Sequence, residues 1–233
     1  MIEALEVGSP VLLFDEDTSA PALLDRDALR AALMPDAHDP VVPLSALVRP
    51  LFTEHGISTI LVTESAAAYA PVADTVIGLD RFRPRDLTSA ARQAAAGFVP
   101  ARRPDGHIGG IAPRTPVPES VAQFKGRRVR ADARAGRTIT IGREPIELKG
   151  AEQLVDPGQA RAVGDAIVFA AESGYVDGTR SLREIVSLID AELTQRGLAA
   201  LSPFQGHPGD YARPRRHEIA AAFNRLRTLR IKS

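Results

Sequence analysis

The chain has 233 residues, zero net charge, 44% apolar and 25% charged residues, and no cysteine. This is the make-up of a globular chain with room for one large or two ordinary domains. It excludes disulfides, thiolate metal sites and cysteine nucleophiles. No apolar stretch approaches the roughly 18 residues of a membrane span. No basic segment leads into an apolar one at the N-terminus, so a cytoplasmic location without a membrane partner is expected.

In chain order, Val11–Phe14 is a continuous apolar run, as expected of a strand buried on both faces. It ends in Asp15-Glu16-Asp17-Thr18-Ser19-Ala20. Asp25 to Met34 reads as a short helix. Leu44 to His55 reads as a second, opened by Pro43, bent at Pro50 and closed by Gly56. Ile57–Thr63 and Thr75–Leu79 are β-rich runs, and Arg85–Ala96 is helical with Asp86 or Thr88 as its cap. From Phe98 the chain turns rich in proline, glycine and arginine, marking a linker over 98–125 between a domain at 1–97 and another at 126–233.

The later domain opens with short strands at Arg127–Arg130, Arg137–Ile141 and Pro145–Leu148, a small meander around Gly136 and Gly142. Asp156 then caps a helix that starts at Pro157 and ends by Gly174. Ser181 and Glu184 form a capping box for the next helix, which Gly197 stops. Arg215 to about Arg230 reads as a third, with Ile219, Ala222, Phe223, Leu226 and Leu229 along one stripe.

The chemistry points to the end of the first strand. Ligands collect beyond the carboxyl ends of parallel strands, and magnesium takes one or two carboxylates while keeping several waters. Asp15 suits the metal, and Glu16 suits a water-orienting base. The five histidines lack the His-x-x-x-His spacing of a helical zinc site. No serine sits in the Gly-x-Ser-x-Gly elbow of a hydrolase.

The stretch Asp15–Ala20 with Arg26-Asp27, the blocks Ser58–Val62, Ala73–Ile77 and Asp86–Thr88, and later Glu152–Val155, Gln159–Ala162 and Pro214–Arg227 occur in one order along the chain. As an ordered set they resemble the soluble ABC-class ATPases, a family that includes a kinetoplastid RNA-editing-associated ATPase. The resemblance implies an α/β fold: a partial P-loop NTPase sheet of ABC type, followed by a smaller α+β C-terminal domain. It implies ATP and Mg2+ as cofactors, with Asp15 on the metal, Glu16 catalytic, and Ser19 and Glu64 toward nucleotide. The chain departs from the family at Pro21–Leu24 and at Thr63–Ala68, where alanines replace the glycines that let backbone approach a phosphate.

A phosphate-binding loop needs Gly-x-x-x-x-Gly-Lys followed by Ser or Thr. The only lysines are Lys125, Lys149 and Lys232, none in such a setting. A glycine-rich signature before the first strand is also absent. The expectation is therefore the C-terminal portion of an ABC ATPase, truncated or separately encoded and inactive alone. Its partner would be a homodimeric copy or a chain carrying the missing N-terminal half.

Residues 1–95 carry 14 acidic and 7 basic side chains, and residues 96–233 carry 15 and 22. The strongest basic feature is Arg213, Arg215, Arg216, Arg225, Arg227 and Arg230 around the last helix, a candidate for contact with RNA or an acidic partner. The alternative function is a non-catalytic RNA- or protein-binding adaptor.

Overall fold

The computed structural model describes residues 1–35, 38–64, 68–97, 108–127, 129–131, 138–151, 153–202 and 210–232. The expected turn residues Ser65–Ala67, the first part of the expected linker (98–107), Gly136, Arg137, Glu152 and two histidines, His107 and His207, lie outside them. The chain divides into two units, one formed by Met1–Gly8 with Ile111–Ser233 and the other by Ser9–Gly110.

In the Ser9–Gly110 unit, strand β1 (Val11–Asp15) pairs in parallel with β2 (Ser58–Val62), Leu13 opposite Ile60 and Asp15 opposite Val62. Between them run α2 (Pro21–Leu24), α3 (Ala28–Leu33) and α4 (Leu44–His55). The short helix expected over Asp25–Met34 is α3, which begins at Ala28, and α2 is a separate turn of helix before it. Asp25 lies in extended backbone after α2, and the Asp27 side chain caps α3 by accepting from the Arg30 amide at 2.7 Å. Gly56 closes α4 at φ +68°, the left-handed stop its position implies.

One face of the parallel pair is covered through Leu12, with Leu24, Leu44, Leu47 and Leu51 also buried in this unit. The other face is bare: Leu13 is 74% exposed, Val62 65% and Ile60 57%. Parallel strands are ordinarily buried on both faces, and among the described residues this sheet has no covering layer on that side.

A hairpin follows, β3 (Ile77–Asp80) against β4 (Arg83–Asp86). The helix expected from Arg85 therefore begins later than its sequence pattern suggests. Proline and two arginines conceal the strand, and α5 starts only at Thr88 (Thr88–Ala95), where the Asp86 side chain accepts from the Thr88 amide at 2.8 Å.

The other unit holds the larger core. It contains α1 (Ile2–Glu6), the short α6 (Glu119–Ala122), and an antiparallel sheet of β5 (Val129–Ala131), β6 (Thr138–Ile141) and β7 (Glu144–Glu147). Helices α7 (Pro157–Glu172), α8 (Leu182–Arg196) and α9 (Arg216–Asn224) complete it. Helix α7 packs on β5, β6 and α9, and Ile139, Ile141, Ile146, Val163, Ile167, Ile185, Ile189, Ile219 and Phe223 are fully or almost fully buried. Val121 and Phe124, which fall in the expected linker, are buried in this same core. Helix α9 ends at Asn224 rather than near Arg230. Beyond it Val117 donates to the Arg230 carbonyl and Lys232 to that of Thr115, and Pro116 pairs with Ile231 in an isolated antiparallel bridge.

Candidate functional site

Asp15 is the last residue of β1, and Glu16 opens the single 3-10 turn Glu16–Thr18 directly after it. Both therefore stand at the carboxyl end of the parallel pair, where an α/β sheet presents ligand-binding groups. The Asp15 carboxylate accepts from the Asp17 amide at 3.1 Å and is otherwise exposed on the bare face of the sheet. Glu16 turns toward β2. Its Oε2 accepts from the Thr63 hydroxyl and, at 2.8 Å, from the Glu64 amide.

The neighbouring turns converge on this pair. Ser19, at the end of the 3-10 turn, donates its amide to the Glu16 carbonyl at 3.3 Å and is half-buried. Glu64 reaches Glu16 through its amide while its side chain is exposed. Tyr69 donates its hydroxyl to the Leu24 carbonyl, and burial, reinforced by the negative charge of Asp25 and Glu16, pushes its phenol well above the usual range. Arg26 and Arg30 close on Asp39, at 3.8 and 2.8 Å, and hold the connection between α3 and α4. The Val41 amide, followed by Arg30 and Arg26, keeps the Asp39 carboxyl below its ordinary value. Sequence reasoning does not single out Thr63 or Tyr69. Thr63 directly follows a strand end, which is the one signal available for it.

Among the described residues no cluster of three or more histidine and carboxylate side chains could enclose a metal by itself. One or two carboxylates at a strand end nevertheless fit a hydrated magnesium ion, whose shell is mostly water and phosphate oxygen. The phosphate end is different. All three lysines lie in the Met1–Gly8 and Ile111–Ser233 unit, and the Ser9–Gly110 unit has none to meet a β- or γ-phosphate.

The basic segment divides. Arg213 donates to the carbonyl of Leu193 and to Asp190 and Thr194 on α8. Arg215 folds back on Glu218, Arg216 donates to the Gly8 carbonyl, and Arg225 pairs with Glu3. Arg227 and Arg230 are exposed. The sequence could not distinguish these groups, since Asp190, Gly8 and Glu3 lie 23, 208 and 222 positions from Arg213, Arg216 and Arg225.

A parallel strand pair with adjacent carboxylates at its carboxyl edge defines part of an α/β nucleotide-binding domain, joined here to an α+β unit. Residues 1–109 match the family model of the ABC ATPase P-loop domain, and residues 130–232 match that of the MRB1590 C-terminal domain. The chain belongs to this family of ABC-class ATPases. No curated protein matches it. Among the described residues no helix is long and apolar enough to cross a membrane.

Proposed function

We propose that the chain is a cytoplasmic ATPase component that supplies the metal- and water-positioning edge of an ABC-class site, with the phosphate loop located elsewhere than in these 233 residues. Asp15 would hold the hydrated magnesium ion. Glu16 would orient the attacking water, and Ser19 and Glu64 would border the nucleotide. The observation carrying this reading is the pinning of Glu16 by Thr63 and the Glu64 amide, at the shared carboxyl end of two parallel strands.

The bare apolar face of β1 and β2 supports the second half of the reading. A parallel pair with Leu13, Ile60 and Val62 exposed is completed by added layers. The missing loop would arrive on such a layer with the N-terminal half, whereas a second copy in a homodimer could cover the face but has no such loop to bring.

The test is hydrolysis of ATP with magnesium. The purified chain alone gives none. Mixed with a family polypeptide that carries Gly-x-x-x-x-Gly-Lys-Thr, it gives turnover that Glu16→Gln reduces about a hundredfold or more, with nucleotide binding retained. Turnover by the chain alone, or equal turnover by both versions of the mixture, rejects the proposal.

The rival reading is a non-catalytic adaptor for RNA or a protein partner. The alanine-rich stretch after Thr63 favours it, since alanine resists the positive-φ turns that bring backbone close to a phosphate.

A further inference from the structure

Four arginines of the Met1–Gly8 and Ile111–Ser233 unit converge on the eight residues that lead into the carboxylate-bearing strand. The Glu6 side chain is only 4% exposed and accepts from Arg114 through both carboxylate oxygens. Arg114 also donates to the Asn224 amide oxygen at 2.6 Å, and Arg225 reaches Glu3 at 3.3 Å. Arg216 donates to the Gly8 carbonyl at 3.0 Å.

The fourth arginine lies against Gly8. That residue is at φ +78°, and a Cβ there would stand 2.7 Å from the Arg183 guanidinium carbon. Leu5 and Val7 are buried between these polar anchors. Arg114 is itself fixed, because its carbonyl accepts from the Leu182 amide at the start of α8, and its neighbours Thr115 and Val117 are bonded to Lys232 and Arg230.

This is an elaborate hold on a five-residue helix that local propensity would not sustain. Gly8 is the last residue of one unit and Ser9 the first of the other, and β1 begins only at Val11. The held segment is thus joined to β1 by the backbone of Ser9 and Pro10.

We infer that this arginine clamp is a coupling device. The unit bearing the MRB1590-type domain fixes the start of the strand that ends in Asp15 and Glu16, so changes at the clamp alter the order of that strand. Glu6, Arg114 and Arg216 are positioning residues that act through the backbone. The clamp itself rests on packing alone, and its bearing on hydrolysis rests on the roles proposed for Asp15 and Glu16.

Amide hydrogen exchange of the full chain tests the inference without reading hydrolysis, so its outcome is separate from that of the catalytic assignment. In Arg216→Gln and Glu6→Gln, amides of Val11–Asp15 exchange about tenfold faster than in the parent. In Ile146→Val, a core change away from the clamp, they do not. If Glu6→Gln fails to fold, Glu3→Gln and Arg216→Gln carry the comparison. Faster exchange confined to Ile2–Gly8, with β1 unchanged, overturns the coupling. Equal acceleration of β1 in the Ile146→Val control overturns it too.

Discussion

Thr63 and Glu16 meet across the carboxyl ends of β2 and β1, the threonine hydroxyl donating to the same Glu16 oxygen that receives the Glu64 amide. The two residues lie 47 positions apart, and the parallel register of Asp15 with Val62 brings them together. A carboxylate oxygen held by two donors has a fixed direction. Orientation of that kind matters more to a reacting water than to a bound nucleotide. In the assembled ATPase, Thr63→Val is therefore expected to lower turnover by about tenfold with little change in nucleotide affinity. Steady-state kinetics with magnesium and ATP, alongside direct nucleotide binding, separates the two effects.

Asp165 offers a pH-dependent handle on the larger core. Burial of this α7 residue pushes its carboxyl up to about 6, Glu172 adds to the rise, and the Tyr211 hydroxyl at 2.8 Å and the charge of Arg161 oppose it. The folded state thus favours the protonated acid more than the unfolded chain does. Its stabilising contribution is complete below the unfolded value near 4 and is lost as pH rises through about 6. Asp165→Asn keeps an acceptor for Tyr211 and removes the charge. Denaturant titrations should show the variant more stable than the parent at pH 8, with the difference gone at pH 4. A gain independent of pH would refute this origin.

How far these features are legible depends on the range over which each is encoded. Asp156 with Pro157 and Ser181 with Glu184 act within one helical turn, and the Asp156 cap and the Ser181–Glu184 capping box form as their spacing implies. The acidic pair is visible because its strand is a continuous apolar run ending in charge. Pro84, flanked by arginines, hides β4, whose pairing with β3 is decided by a turn holding Arg81 and Phe82 at positive φ. The early end of α9 is hidden as well, because Ile231 is drawn to Pro116 from more than a hundred residues away. The arginine clamp has no local signature at all. Glu3 and Glu6 resemble any solvated helix face until Arg225 and Arg114 are placed beside them.

Gly158 illustrates a packing constraint within the first turn of α7. A Cβ there would stand 2.7 Å from the Asp210 carbonyl oxygen and 2.8 Å from the Ala212 nitrogen, both backbone atoms that cannot swing aside as a side chain can. Gly158→Ala should therefore destabilise the protein by about 1–3 kcal/mol, despite alanine's better helix propensity. A chemical denaturation midpoint equal to or above that of the parent would contradict the argument.

The divided fate of the basic segment leads to a prediction about RNA. Arg213, bonded to Leu193, Asp190 and Thr194, holds the approach to α9 against α8. Its replacement by alanine is expected to cost about 1–2 kcal/mol of stability and to affect RNA only through folding. Arg227 and Arg230 are exposed, and their removal should leave the denaturation midpoint unchanged. Any RNA binding by this segment then falls on those two. Fluorescence anisotropy with a labelled single strand at low salt should show weaker binding in Arg227→Ala and Arg230→Ala, with the salt slope reduced by about one unit for each phosphate no longer neutralised. A parent protein with no affinity for single-stranded or duplex RNA even at low salt removes the RNA reading, and unchanged binding in both variants removes these two residues from it.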